Sequence, residues 1–202
     1  WVGYRALGWG ELKDGYDACE WLATQPWSTG KVGTFGSSQA GYAQNFLAVT
    51  QPPSLKAQYM VDTGLSLYHE GYRIGGTTRP ERFAALRQVC RDPQNQGSIA
   101  SFQGRQNKGG PRSRGNQQLV IGPWLHGRLN KGYKVGQLEY PSQAAWPELE
   151  HMVRWFDYWL KDKQTGVDRE PSVRYFVMGA VGETDAPGNV WREAEQFPPQ
   201  HT

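Results

Sequence analysis

A serine held between small residues is the feature of this sequence with the clearest chemical meaning. Ser38 lies two residues after Gly36 and two before Ala40, with an apolar segment at 31–36 before it and a helix-like segment at 40–50 after it. A strand that turns sharply into a helix holds such a serine in a strained conformation with its hydroxyl exposed, and small neighbours let the two elements approach. We therefore predict that Ser38 is the nucleophile of an acyl-transfer reaction.

The residues next to Ser38 include an alternative nucleophile and a candidate donor for the oxyanion. Ser37 is the second candidate nucleophile, but the bulky Phe35 then occupies the position two residues before it. The backbone N–H of Gln39, at the positive end of the following helix, is predicted to stabilise a developing oxyanion. A glycine-serine turn with a helix-capping serine explains the same residues without catalysis.

A nucleophilic serine requires a base, and His126 is the best placed of the four histidines. It follows the short apolar segment 118–121 through a Gly-Pro-Trp turn, at the end of a predicted strand, where ligand sites form in α/β proteins. Its position after the serine also fits the chain order of an α/β-hydrolase. We interpret the other three as structural or solvated: His69 in a polar loop, His151 on the polar side of a helix, and His201 in the tail.

Hydrophobic periodicity arranges these residues in an alternating α/β pattern, with the strand 55–61 following the helix after Ser38. The segment at 91–116 is polar, glycine-rich and basic, without a clear period. Helices are predicted at residues 11–24, 40–50, 79–89 and 147–161, and strands at 31–36, 55–61, 118–121 and 173–178. The sequence therefore predicts an α/β-hydrolase with a mostly parallel sheet and helices on both faces.

Composition excludes several classes of protein. The 202 residues carry a formal net charge of only +3, which indicates neither a nucleic-acid nor an acidic-polymer partner. No signal peptide or apolar run of membrane-spanning length is present, so we expect no membrane association and favour a cytoplasmic protein. Cys19 and Cys90 lack the spacing of a zinc site. Arg105, Lys108, Arg112 and Arg114 could bind phosphate, although a solvated loop is the simpler interpretation.

Several ordered segments, covering about two-thirds of the chain, resemble the cocaine esterase and Xaa-Pro dipeptidyl-peptidase family. They are EWLATQPWS at 20–28, GKVG at 30–33, the Ser38 turn, GPWLHG at 122–127, FDYWLK at 156–161, VRYFVMG at 173–179 and Trp-Arg at 191–192. The resemblance implies that Ser38 is the nucleophile, His126 the base and the Gln39 backbone one oxyanion donor. It also implies a second oxyanion donor, a tyrosine, from sequence upstream of Trp1.

The chain departs from the family pattern at the acid of the triad. The family places this aspartate in a Gly-Trp-Tyr-Asp-like segment before the histidine strand, and the corresponding residues 97–102 contain no carboxylate. Asp92, the only acid between Val89 and His126, is therefore the substitute. Because the chain opens on Trp1 and only 37 residues precede Ser38, we expect it to be incomplete or internally deleted.

Together these observations predict a serine hydrolase that cleaves an acyl ester, an α-amino acid ester or an Xaa-Pro peptide through an acyl-enzyme. It needs no metal or organic cofactor, and its partners are small ester, amide or short peptide substrates. A catalytically inactive binding or assembly module is the alternative, favoured by the missing acid segment.

Residues 1–180 are expected to form a partial catalytic domain, with 91–116 as the site of the absent lid and acid segment. Residues 181–202 are expected to form a linker toward a further domain.

Overall fold

The computed structural model describes residues 14–64, 73–74, 77–78, 93–124, 133–135, 137–182 and 187–199. The helices are α1 (Asp14–Ala23), α2 (Gln39–Val49), α3 (Pro93–Lys108) and α4 (Glu148–Lys161), with 3-10 turns at Ser142–Ala144 and Val167–Arg169. The strands are β1 (Val32–Ser37), β2 (Leu55–Val61), β3 (Arg73–Ile74), β4 (Thr77–Thr78), β5 (Leu119–Ile121), β6 (Lys134–Val135), β7 (Leu138–Glu139), β8 (Val173–Val177) and β9 (Val190–Ala194). The predicted helix at 79–89 lies outside the described residues.

The first sheet fragment confirms the βαβ pattern read from the sequence. Strands β1 and β2 are parallel, with Thr34 opposite Gln58, and α2 connects them. Successive residues of a strand face opposite sides, and here Gly33 lies against Phe156 of α4 while Thr34 donates a hydrogen bond to Gln44 of α2. Helices α2 and α4 therefore cover opposite faces of this parallel pair.

The second sheet fragment lies later in the chain. Strand β5 pairs in parallel with β8, and β8 pairs antiparallel with β9. Phe102 of α3, Leu119 and Val173 form a buried cluster that packs α3 onto this sheet. The segment expected to be a linker thus contributes an edge strand, β9.

The predicted mostly parallel sheet is confirmed in part, because β2 and β5 belong to different sheets within the described residues. A cavity of about 180 Å³ lies between them, lined by residues 58–62 on one side and 117–122 on the other. Val61 and Val120, near the ends of their strands, share one apolar cluster with Trp124. Leu55 at the start of β2 and Gln117, two residues before β5, line a second cavity, so β2 and β5 run in the same direction.

Two predictions about helices are wrong in part. Residues 93–108 form α3 rather than an unpatterned stretch, and His151, predicted on the polar side of its helix, is the buried residue of α4. Phe156 of the same helix packs against Gly33, whereas Leu149 and Val153 are 68% and 52% exposed. No helix within the described ranges has the length and apolar character to cross a membrane.

Candidate active site

Ser38 lies at the junction of β1 and α2 in a backbone conformation that few serines adopt. Its φ is 57° and its ψ is −118°, so it falls in the positive-φ region that disfavours any side chain. Such strain costs about 1–3 kcal/mol and persists only where the surroundings enforce it. Ser37 is the last residue of β1 and is exposed, with ordinary strand pairing opposite Val61. The strained serine is therefore Ser38, as the spacing of small residues predicted.

Close contacts explain why this turn requires small neighbours. A Cβ atom added to Gly36 would lie 2.6 Å from the Cβ of Ala40, so the positions two before and two after Ser38 touch. A Cβ added to Gly41 would lie 2.5 Å from the Cβ of Thr63. The requirement at Gly41 was not predicted, because Thr63 comes from the segment after β2 and is distant in sequence.

Backbone hydrogen bonds fix the turn on both sides. The Ser38 N–H donates to the carbonyl of Val61 (3.0 Å), which extends the pairing of β1 with β2 by one residue. The Ser38 carbonyl accepts from the N–H groups of Gly41 and Tyr42, at 3.0 and 3.1 Å. As the first residue of α2, Gln39 has an amide that precedes the hydrogen-bond pattern of the helix. That amide is the donor nearest in sequence to Ser38.

A polar network anchors the helix that carries the turn. Buried Asn45 of α2 donates to the Gly64 carbonyl (2.9 Å) and accepts from Arg105 (2.6 Å) and Ser101 (3.3 Å), both on α3. Arg105 also donates to Gln58 of β2 at 2.9 Å. Side-chain hydrogen bonds therefore join helices α2 and α3 and strand β2.

The predicted acid precedes an element that lies beside the turn. Asp92 is outside the described residues, but the next residue in the chain, Pro93, begins α3. In the first two turns of that helix, the Ser98 hydroxyl donates to the carbonyl of Thr63, the residue that packs against Gly41. The start of α3 and the start of α2 thus meet at Thr63.

The predicted base lies outside the described residues as well. Two residues before His126, Trp124 belongs to the cluster that contains Val61, whose carbonyl accepts from Ser38. The end of the strand that leads to His126 is therefore close to the end of the strand beside Ser38. His69 and His201 are also outside the described residues.

A second polar cluster, which the sequence did not indicate, centres on His151. Its Nδ1 lies 3.2 Å from the Tyr59 hydroxyl and its Nε2 lies 3.4 Å from a carboxylate oxygen of Glu170. Glu170 also accepts from Arg154 (2.5 Å) and Arg174 (3.2 Å). Sequence reasoning missed the cluster because its members come from β2, α4, β8 and a 3-10 turn.

Burial determines the protonation of this cluster. It lowers the pKa of His151, an effect that nearby Arg154 and Arg174 reinforce and that Glu170 opposes. Burial likewise raises the pKa of Tyr59 to about 12. A neutral His151 that donates from Nε2 to Glu170 accepts at Nδ1 from the Tyr59 hydroxyl, so every polar atom has a partner. Within the described residues, no group of three or more His, Cys, Asp or Glu side chains is arranged to hold a metal ion.

The family model described as X-Pro dipeptidyl-peptidase (S15 family) matches residues 2–108, more than half of the 202-residue chain. The chain belongs to this family of serine hydrolases. The resemblance drawn from the sequence motifs is thereby confirmed, and the Ser38 turn lies inside the matched residues of the S15-family chain.

Two curated relatives match a shorter part of the S15-family chain. They carry the names "Putative serine esterase Mb1866c" in Mycobacterium bovis and "Putative serine esterase MT1883" in Mycobacterium tuberculosis. Each is 31% identical over 84 residues, which is 42% of this chain and 12% of the relative. The chain therefore spans about one eighth of the length of these relatives.

Solved structures show the same fold over most of the chain. A CocE/NonD family hydrolase from Staphylococcus aureus matches 92% of the chain with a TM-score of 0.53 and 21% identity, over 38% of its own length. An aminopeptidase from a marine sediment Thaumarchaeota archaeon matches 93% with a TM-score of 0.63 and 19% identity, over 43% of its own length. At these identities the likeness concerns the fold, and this chain spans about two fifths of those proteins.

Proposed function

We propose that this chain carries the nucleophile of a serine hydrolase that cleaves an ester or amide through an acyl-enzyme, with Ser38 as that nucleophile. The observation that supports the proposal most strongly is the positive φ of Ser38 between a parallel strand and a helix. A serine at an ordinary turn has no reason to keep a strained conformation, whereas a nucleophile gains exposure from it. The family match covers this turn, which adds support.

The proposed reaction begins with attack of the Ser38 hydroxyl on the substrate carbonyl carbon. His126 takes the hydroxyl proton, and the Gln39 N–H stabilises the negative oxygen of the tetrahedral intermediate. The intermediate collapses as His126 returns the proton to the leaving alcohol or amine, which leaves an ester on Ser38. Water, deprotonated by His126, then attacks this ester and releases the acid and free Ser38.

We propose Asp92 as the acid that orients His126. Its support is its position directly before α3, whose first turns contact Thr63 beside the start of α2. Val61 accepts a hydrogen bond from Ser38 and clusters with Trp124, which lies two residues before His126. These contacts support an approach of His126 to Ser38. Acyl esters, α-amino acid esters and Xaa-Pro peptides are the proposed substrates, within a catalytic unit proposed to span residues 1–180.

A fluorophosphonate probe tests the nucleophile directly. We expect labelling of the chain at Ser38, and complete loss of both labelling and p-nitrophenyl ester turnover in Ser38→Ala, because alanine has no nucleophilic oxygen. Ser37→Ala, one residue away, serves as the matched control and should keep both. Retained labelling in Ser38→Ala, or loss in Ser37→Ala alone, would reject Ser38 as the nucleophile.

The same assay separates the base from the acid. His126→Ala and Asp92→Asn should each lower turnover, by roughly a thousandfold or more for the histidine, while circular dichroism stays native. Native folding together with unchanged turnover in Asp92→Asn would remove Asp92 from the triad. A wild-type chain that folds but takes no label would instead favour an inactive, hydrolase-like binding module.

A further inference from the structure

A second cavity, distinct from the Ser38 turn, is strongly basic. It has a volume of about 180 Å³ and lies between the start of β2, the end of α3 and the segment that connects α3 to β5. Lys56, Arg105 and Arg112 line it, and none of the described residues around it is an aspartate or a glutamate. Three cationic side chains thus surround one space without a carboxylate in its wall.

Arg105 is the cation that most needs a counter-ion. It is half-buried, and it donates to the neutral oxygens of Gln58 (2.9 Å) and Asn45 (2.6 Å), with Met60 Sδ at 4.0 Å. No carboxylate of the described residues lies within 4.0 Å of it. Its burial lowers the pKa of the guanidinium, but an arginine stays charged in proteins. A charge removed from water without an opposite charge is costly, and two of its five N–H donors serve only neutral oxygens.

Two tryptophans of α4 form part of the wall of the same space. Trp155 and Trp159 line this cavity with their rings, while their indole nitrogens are enclosed. Their fluorescence can therefore report on an anion bound there.

We propose that this cavity binds a phosphate-class oxyanion. Arg105 provides the half-buried charge, while Lys56 and Arg112, both exposed, provide charge at the rim. The volume exceeds the approximately 150 Å³ of a cavity that holds benzene, so the anion has room for a small attached group. Its charged donors are side chains from three separate parts of the chain rather than a glycine-rich backbone loop, which is why no phosphate motif is visible in the sequence.

An adjoining cavity of about 240 Å³ contains acidic residues but does not neutralise this site. It shares Trp155 and Trp159 with the basic cavity and is also lined by the acids Asp168, Glu170 and Glu195. Glu170 is already paired with Arg154 and Arg174. Arg105 lines only the basic cavity of these two, and it has no partner among those acids.

Titration of inorganic phosphate into the 202-residue chain tests this site. At constant ionic strength, set with sodium chloride, we expect saturable one-site binding by calorimetry and a change in tryptophan fluorescence. Arg105→Met, which keeps the length of the side chain and removes its charge, should weaken binding about tenfold or more. Arg114→Met is the matched control: Arg114 belongs to the same basic segment but lines neither cavity, and binding should stay within about twofold.

A second variant keeps the test decisive if Arg105→Met fails to fold. Arg112→Met removes an exposed charge at the rim, and we expect it to weaken binding severalfold while the protein stays folded. Phosphate binding that never saturates, that chloride reproduces, or that Arg114→Met weakens as much as Arg105→Met would overturn the site. Unchanged affinity in a folded Arg112→Met would also overturn it if Arg105→Met misfolds or keeps its affinity. Ser38→Ala should bind phosphate normally, since this site does not depend on the proposed hydrolase activity.

Discussion

At the scale of single residues, the strained conformation of Ser38 suits its proposed function but lowers the stability of the fold. The φ of 57° at Ser38 is enforced by the contact of Gly36 with Ala40 and by the hydrogen bond to Val61. Glycine adopts such a φ without a steric penalty, so any other residue here is retained for its side chain. The strain at this residue is therefore an expected cost of exposing the proposed nucleophile.

We expect Ser38→Gly to raise the free energy of unfolding by about 1 kcal/mol, because the relief of strain exceeds the extra chain entropy of glycine. Urea denaturation monitored by circular dichroism measures the change. Ser37→Gly is the control and should be destabilising, since Ser37 lies in regular strand conformation. A less stable Ser38→Gly would mean that the serine side chain contributes more to folding than its strain removes.

At the scale of secondary structure elements, α3 is a helix that buries polar side chains beside the apolar residue Phe102. Ser98, Ser101 and Arg105 follow one another at helical spacing, and each forms a hydrogen bond to the turn after β2 or to Asn45 of α2. Such a helix has little apolar periodicity, and it is held in place by donors and acceptors that must all be paired. Asn45 accepts hydrogen bonds from two side chains of α3, Ser101 and Arg105.

Asn45→Leu should therefore lower the free energy of unfolding by about 2–4 kcal/mol, because Arg105 and Ser101 lose a buried acceptor. Adding Arg105→Met to this variant removes the unpaired charge and should restore about 1 kcal/mol or more. Equilibrium urea unfolding of the two single variants and the double variant gives the coupling energy. Strictly additive effects would show that Asn45 and Arg105 act independently.

At the scale of the whole molecule, the cluster around His151 joins strands that belong to different sheets within the described residues. Tyr59 lies in β2, His151 in α4 and Arg174 in β8, with Glu170 between them. Trp146 completes the link, since its indole N–H lies 3.4 Å from the Tyr59 hydroxyl and its ring centroid lies 5.0 Å from that of His151. The two sheet fragments are connected through this cluster.

The lowered pKa of His151 makes this connection sensitive to pH. Between that pKa and the ordinary value of about 6.5, the unfolded chain binds more protons than the folded one, so stability rises with pH and is lost as pH falls through about 6.5. We expect the melting temperature to fall more steeply between pH 7.5 and 5.5 in the wild type than in His151→Gln, because only the wild type carries the buried imidazole. Differential scanning calorimetry measures both slopes. Equal slopes would exclude His151 as the group that titrates.

The sequence alone determined what depends on neighbours in the chain. The predicted bounds of β1 and α2, on either side of the Ser38 turn, agree with the structure to within one residue. Small-residue spacing and apolar periodicity act over a few residues, so the sequence suffices there. The family was likewise recognisable from contiguous motifs. Strand β9 was missed, because its pairing partner β8 rather than its own pattern stabilises it.

Tertiary structure decided what depends on residues far apart in the chain. It buried His151, which periodicity had assigned to the polar side of α4, because partners from β2 and β8 satisfy its ring nitrogens. It also ordered α3 through polar contacts and placed Arg105 in a half-buried cavity rather than in a solvated loop. A polar side chain is buried only where distant donors and acceptors compensate for lost water, and hydrophobic patterns along a sequence carry no record of those partners.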